Sequence, residues 1–203
     1  MKVGFLGLGK LGLPCALAVE AKGHEVWGCD IYEQVLENIR NRHLPYREIG
    51  CQELLDQTSI NLCEDSTGLV QNCDIIFVPI QTPHDPRFEG ITLLTEERAD
   101  FDYTWLRAGI TDLNAAMVQE DKYPIVVIIS TVLPGTIERE ILPVLNPQFR
   151  LCYNPFFIAM GTTIPDFNHP EFILFGTEDE GAAEVLQDFY STIHDAPFFR
   201  TSI

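Results

Sequence analysis

The sequence predicts an α/β fold: a doubly wound, mostly parallel sheet with helices on both faces. Three observations predict it. Short apolar runs alternate with helical patterns along the whole chain. Most of those runs are continuous and rich in Val, Ile, Leu or Phe, as strands covered on both faces are. The first run passes through three glycines directly into a helical pattern. Strand and helix in alternation imply parallel pairing with crossover helices.

In chain order, Lys2–Gly7 (KVGFLG) is an apolar strand and Leu11–Lys22 a helix. Glu25–Cys29 (EVWGC) is the second strand, followed by a helix over Glu33–Arg42. Ile60–Cys63 (INLC) and Ile75–Val78 (IIFV) are further strands. Tyr103–Gln119 is helical, Ile125–Ser130 (IVVIIS) a strand, and Thr136–Leu145 helical. Arg150–Tyr153 (RLCY) and Phe172–Gly176 (FILFG) are strands, and Asp179–Thr192 is helical. Pro197–Ile203 reads as a further strand just beginning. There is no internal repeat. The stretch from Pro79 to Asp100 follows a strand end and carries three prolines and mixed charge. A loop of that length is either functional or a mobile surface insertion.

The 203 residues, 46% of them apolar, suffice for a single domain spanning 1–203 with its own core. The net charge of −17, with only four lysines, excludes a nucleic-acid-binding surface, which needs the opposite sign. It also disfavours anionic ligands at long range. A phosphorylated ligand would have to be held by backbone N–H groups or by cations from another polypeptide. No apolar run approaches the roughly 18 residues of a membrane helix, and the expected location is the cytoplasm. The six cysteines, Cys15, Cys29, Cys51, Cys63, Cys73 and Cys152, form no C-x-x-C pair and no zinc-ligand spacing. They are expected to be buried, reduced thiols, and no metal is expected.

Gly7-Leu8-Gly9-Lys10-Leu11-Gly12 is G-x-G-x-x-G, set between an apolar strand and a helix. Gly7 permits the tight turn, Gly9 lets backbone approach a pyrophosphate, and Gly12 lets helix and strand pack closely. The anion then lies at the positive end of the helix dipole, whatever the chain's net charge. Asp30 ends the second strand 18 residues after Gly12. A carboxylate there accepts hydrogen bonds from ribose hydroxyls and repels a 2′-phosphate. No arginine follows it at once, since Ile31-Tyr32-Glu33 comes next. This is a Rossmann-type unit reading NAD rather than NADP, with Leu11 opening the helix. Lys10 either touches phosphate or is solvated.

Four blocks, the first of them containing this glycine motif, carry a resemblance. They are GFLGLGKLGLPCALAVEAKGHEVWGCD at 4–30; VPIQTP at Val78–Pro83 with ADFDY at Ala99–Tyr103; STVLPGT at Ser130–Thr136; and NPFFIAMGTTIPDFNHPEFILFG at Asn154–Gly176. In this order the chain resembles the N-terminal, NAD-binding domain of the UDP-glucose/GDP-mannose dehydrogenase family. The resemblance implies oxidation of a sugar CH–OH group with NAD as acceptor. It implies a nucleotide-sugar substrate, and a homodimer formed through a second domain outside these residues. By motif position, Thr82 and Pro83 match the cofactor-side loop, and Ser130 and Thr131 the strand end near the nicotinamide. Thr131 is the candidate catalytic residue, because a hydroxyl there can order water or a substrate hydroxyl.

The family writes two glutamates where this chain has Phe156 and Met160. Neither side chain can act as a general base, and Asp166 and Glu171 stand at other offsets. The family's cysteine nucleophile matches none of the six cysteines here. His84–Arg98 is longer than the family's connection before its Ala-Asp-Phe block. The chain alone is therefore expected to be inactive. Two alternatives stand beside the dehydrogenase: an NAD-binding regulatory module without full catalysis, and a β-hydroxyacid dehydrogenase of the 6-phosphogluconate-like group, which shares the G-L-G-x-x-G-x-P opening.

Overall fold

The computed structural model describes residues 1–88 and 98–203; the rest of the long loop after the fourth strand lies outside the described residues. Strand β1 (Lys2–Leu6) leads through the glycine turn into α1 (Gly12–Ala21), then β2 (Glu25–Cys29), α2 (Glu33–Arg40), α3 (Cys51–Leu55), β3 (Asn61–Leu62), α4 (Ser66–Asn72) and β4 (Ile75–Val78). The second half runs α5 (Thr104–Glu120), β5 (Ile125–Ile128), β6 (Arg150–Tyr153), α6 (Thr163–Asn168), β7 (Ile173–Gly176), α7 (Glu180–Ser191) and β8 (Phe198–Thr201).

The strands form one sheet in the order β3-β2-β1-β4-β5-β6-β7-β8. Every neighbouring pair is parallel except β6 and β7, which meet antiparallel at Tyr153 and Gly176. The chain winds outward from β1 in one direction and then returns past it to β4. The crevice between the carboxyl ends of β1 and β4 is therefore the topological switch point, where open α/β sheets bind ligands. The central strands β4 and β5 are buried at every residue. Two apolar layers cover the sheet. One contains Val3, Phe5 and Phe77 with Leu17 of α1 and Leu186 and Phe189 of α7. The other contains Leu6, Ile76 and Val126 with Leu69 of α4 and Leu106 and Leu113 of α5.

Several elements differ from the sequence expectation. The Thr136–Leu145 helix is a π turn at Ile137–Ile141 followed by a 3₁₀ turn at Leu142–Val144, since Pro143 supplies no N–H to continue a helix. Helix α4 is built from poor helix formers and stands on its cap: the Asp65 carboxylate accepts from Thr67 N at 2.9 Å and Gly68 N at 3.2 Å. Helix α6 carries Pro165 in its first turn, where a missing N–H is harmless. Its entry is held from far away in sequence. Glu48, nearly buried, accepts from Thr163 N at 2.7 Å and Gly161 N at 2.9 Å.

The packing of α1 on β1 depends on glycine. A Cβ at Gly12 would lie 2.1 Å from the Gly7 carbonyl oxygen and 2.8 Å from Pro79 Cγ. Gly7 itself has φ +112°, a conformation L side chains rarely adopt. Gly12→Ala is expected to destabilise the domain by about 1–3 kcal/mol, measured by urea unfolding; an unchanged midpoint would show that the two elements can separate freely.

Two histidines lie under α7. His24 Nε2 hydrogen-bonds Thr192 Oγ1 at 2.7 Å, and its ring lies 5.2 Å from Phe189. His194 stacks on Tyr190 at 5.6 Å. Burial lowers both pKa values, helped by the N-terminal ammonium for His24 and by Lys22 for His194. The unfolded chain takes up these protons near pH 6.5 and the folded chain only at lower pH. Stability from this source is therefore present above about pH 6.5 and is lost as pH falls toward the folded values. The urea midpoint should drop between pH 7 and pH 5, and His24→Gln should shrink that drop. An identical pH dependence in the variant would rule out His24 as a contributor.

Candidate functional site

The glycine turn leaves β1 at Gly7, whose N–H donates to the Cys29 carbonyl at 2.8 Å. That bond ties the loop to the end of β2. Asp30 follows at once, and its carboxylate is fixed by two backbone donors, Leu8 N at 2.8 Å and Tyr32 N at 2.9 Å. Each oxygen keeps capacity for a further hydrogen bond. Helix α1 starts at Gly12 with no side-chain cap at Leu11, so its first turn is open to an anion. A Cβ at Gly9 would meet nothing within 4 Å, so space for a ligand begins at that backbone. Lys10 is exposed beside it.

These features fit a dinucleotide: an uncapped helix start, an open backbone surface at Gly9, and a pinned carboxylate at the neighbouring strand end. Arg40, the cation on the helix that follows Asp30, is paired with Glu33. That pairing gives the one cation of α2 an internal carboxylate partner.

The second half of the edge is built from β4 and β5. Ser130 is 4% exposed and donates its hydroxyl to the Val78 carbonyl at 3.0 Å. Its side chain joins the two strand ends. Thr82 Oγ1 donates to the Thr131 carbonyl at 2.6 Å, while the Thr131 side chain is exposed. Pro83 is exposed, and its carbonyl accepts from Asp102 N at 2.8 Å. The structure thus brings Gly7, Gly9, Gly12 and Asp30 together at one side of the switch point, and Thr82, Pro83, Ser130 and Thr131 at the other. Pro79, beside both Gly7 and Gly12, links the halves.

The loop after β6 continues this edge. Asn154 is buried and fully engaged: its N–H donates to the Ile128 carbonyl at 2.9 Å, its Nδ2 to the Leu174 carbonyl at 2.8 Å, and its Oδ1 accepts from the Tyr190 hydroxyl. Phe156 packs into the core, with ring centroids 5.6 Å from Phe167 and 6.4 Å from Phe77. Met160 is 63% exposed. A cavity of about 460 Å³ opens here, lined by Phe156, Phe157, Phe172, Asp166, His169 and Glu171 among others. Asp166 staples the loop, accepting from Ala159 N at 3.0 Å and Thr162 Oγ1 at 2.8 Å.

All six cysteines are free and buried. Burial pushes the Cys29, Cys51 and Cys73 thiols up to about 12 and those of Cys63 and Cys152 to about 11, with Cys15 higher still. None has the electropositive setting a nucleophilic thiolate needs. Among the described residues no His, Cys, Asp and Glu side chains gather into a metal site, and no helix is long and apolar enough to cross a membrane. Sequence reasoning singled out neither Glu48 nor Asn154, whose partners come from distant segments. Tyr103 entered only as the end of the ADFDY block and the start of a helix.

Residues 1–194 match the UDP-glucose/GDP-mannose dehydrogenase family, NAD binding domain. GDP-mannose 6-dehydrogenase from Pseudomonas syringae pv. syringae is 26% identical over 215 residues, covering all of this chain and 46% of that protein. A crystal structure of a ternary complex of GDP-mannose dehydrogenase from Pseudomonas aeruginosa superposes with a TM-score of 0.88 at 26% identity, over all of this chain and 47% of that one. A UDP-glucose dehydrogenase from Pyrobaculum islandicum gives 0.83 at 26% identity, over 99% and 46%. The chain spans about half the length of the curated relatives it matches. With the glycine turn, the pinned Asp30 and the open switch-point crevice in place, the chain belongs to the UDP-glucose/GDP-mannose dehydrogenase family, of which it is the NAD-binding domain.

Proposed function

We propose that this chain is the cofactor half of a cytoplasmic nucleotide-sugar 6-dehydrogenase. The other half of the fold, present in the relatives' additional length, then supplies the sugar-nucleotide contacts and the homodimer interface. The observation that carries the reading is the single carboxyl edge on which the glycine turn, Asp30 and the Thr82–Thr131 pair converge at the switch point. In this reading Gly9, Leu11 and Gly12 hold the pyrophosphate on backbone N–H groups, with Lys10 beside it, and Gly7, whose own N–H is engaged by the Cys29 carbonyl, makes the turn that presents them. Asp30 holds the ribose. Thr82, Pro83 and Ser130 shape the nicotinamide side. Bound NAD would supply the hydride acceptor for oxidation of a sugar CH–OH group. Thr131 is the one exposed hydroxyl on the β5 end, and its role is to orient a substrate hydroxyl or water. The six buried free thiols support the cytoplasmic location.

A second reading, NAD binding without full turnover, has one observation in its favour. Phe156 is packed between Phe77 and Phe167, so no titratable group projects from the family's first glutamate position. Turnover separates the two. The full-length protein should produce NADH from GDP-mannose or UDP-glucose, and Thr131→Ala should lower kcat about ten- to a hundredfold with NAD affinity little changed. No NADH from any UDP- or GDP-sugar would instead favour the binding module.

Binding and folding separate at Gly9. Since a Cβ there meets nothing within 4 Å, Gly9→Val should leave unfolding stability within about 0.5 kcal/mol. NAD affinity should fall by about tenfold or more, as a side chain fills the pyrophosphate's approach. Equal NAD affinity in the variant would move the pyrophosphate away from this loop.

A further inference from the structure

We infer that Tyr103 is a positioning residue for the nicotinamide end of the site, acting through the Thr131 loop; the inference rests on the dinucleotide placement proposed above. The Tyr103 hydroxyl is at the centre of a network that joins its own 99–103 segment to the loop after β5. It donates to Asp100 Oδ1 at 2.6 Å and accepts from Leu133 N at 3.2 Å and from Thr136 Oγ1 at 3.2 Å. One donor and two acceptor sites are all a phenol has, so the group is saturated. Tyr103 is 7% exposed and Thr136 is fully buried.

Asp100 is itself held by Arg139 Nη2 at 2.7 Å. Hydrogen bonds from Tyr103 and the Phe101 N–H, with the Arg139 charge, keep its carboxyl below the ordinary aspartate range. It is therefore a charged acceptor for the phenol at neutral pH. On the other side of the same turn, Asp102 N donates to the Pro83 carbonyl at 2.8 Å. The 99–103 segment thus touches both loops of the site's second half, one at Pro83 and the other at Leu133.

Thr131 hangs between fixed points. Ser130 before it is tied to Val78, its own carbonyl to Thr82, and Leu133 two residues later to the Tyr103 phenol. Without the phenol oxygen, the Leu133 N–H loses its acceptor, the Thr136 hydroxyl is left with the contact from Arg139 Nη2, and the loop loses its tie to Tyr103. Among the described residues, the hydrogen bonds of the glycine turn and Asp30 run to other partners, Cys29, Leu8 and Tyr32. The device therefore acts on one end of the dinucleotide only.

The test is Tyr103→Phe in residues 1–203, with NAD and ADP titrated by calorimetry and thermal unfolding measured alongside. Wild type binding both ligands establishes the dinucleotide site. The variant should then bind NAD about three- to tenfold more weakly, a loss of the order of one hydrogen bond, and ADP unchanged. Equal weakening of NAD and ADP, in step with a lowered Tm, would reduce Tyr103 to general structural support and overturn the inference. So would unchanged NAD affinity. A wild-type domain that binds neither ligand would overturn the underlying placement as well. In the full-length enzyme the same variant should raise KM for NAD without a matching loss in thermal stability.

Discussion

The approach of Gly12 to the Gly7 carbonyl is the contact on which the site depends. A Cβ on Gly12 would come within 2.1 Å of that oxygen, so only hydrogen fits between the start of α1 and the end of β1. That proximity delivers the helix N-terminus, uncapped, to the carboxyl edge of the sheet. It also places Pro79, at the end of β4, against the same glycine. The crevice between β1 and β4 is thus a consequence of strand order, and its narrowness a consequence of one missing side chain.

Around that crevice an acidic chain uses its carboxylates as acceptors for backbone N–H groups. Asp30 holds Leu8 and Tyr32, Glu48 holds Gly161 and Thr163, Asp65 caps α4, and Asp166 holds Ala159. These bonds fix loops that have no regular hydrogen-bond ladder of their own. They also reconcile a net charge of −17 with binding an anionic dinucleotide. The charges nearest the loops are tied into the backbone, and in the proposed placement the pyrophosphate would be met by N–H dipoles rather than by side-chain cations.

The doubly wound sheet and its parallel core were legible because the buried strands are unbroken apolar runs and the glycine turn has a fixed relation to strand and helix. The reversal at β7 was not legible, since FILFG reads alike in either direction. The short helices α3, α4 and α6 escaped because their stability comes from caps and contacts, such as Asp65 for α4 and Glu48 for α6, and not from a sustained apolar period. In the site, the residue types at Gly7, Gly12 and Asp30 announce their backbone constraints directly. Glu48, 113 residues from its partner Gly161, leaves no local trace. Ser130 was placed by motif at the nicotinamide-side strand end, but its hydrogen bond to the Val78 carbonyl could not be read from sequence. Phe156 and Met160 stood out in sequence as residues that cannot act as a general base, but the way Phe156 joins the core became evident only with Phe77 and Phe167 around it.

The central claim is that the edge formed by the glycine turn and Asp30 holds NAD and discriminates against a 2′-phosphate. Calorimetric titration of residues 1–203 with NAD and with NADP tests it most directly. The account predicts one NAD per chain, with NADP weaker by about an order of magnitude or more. Equal affinity for the two dinucleotides, or no binding of either, would contradict it.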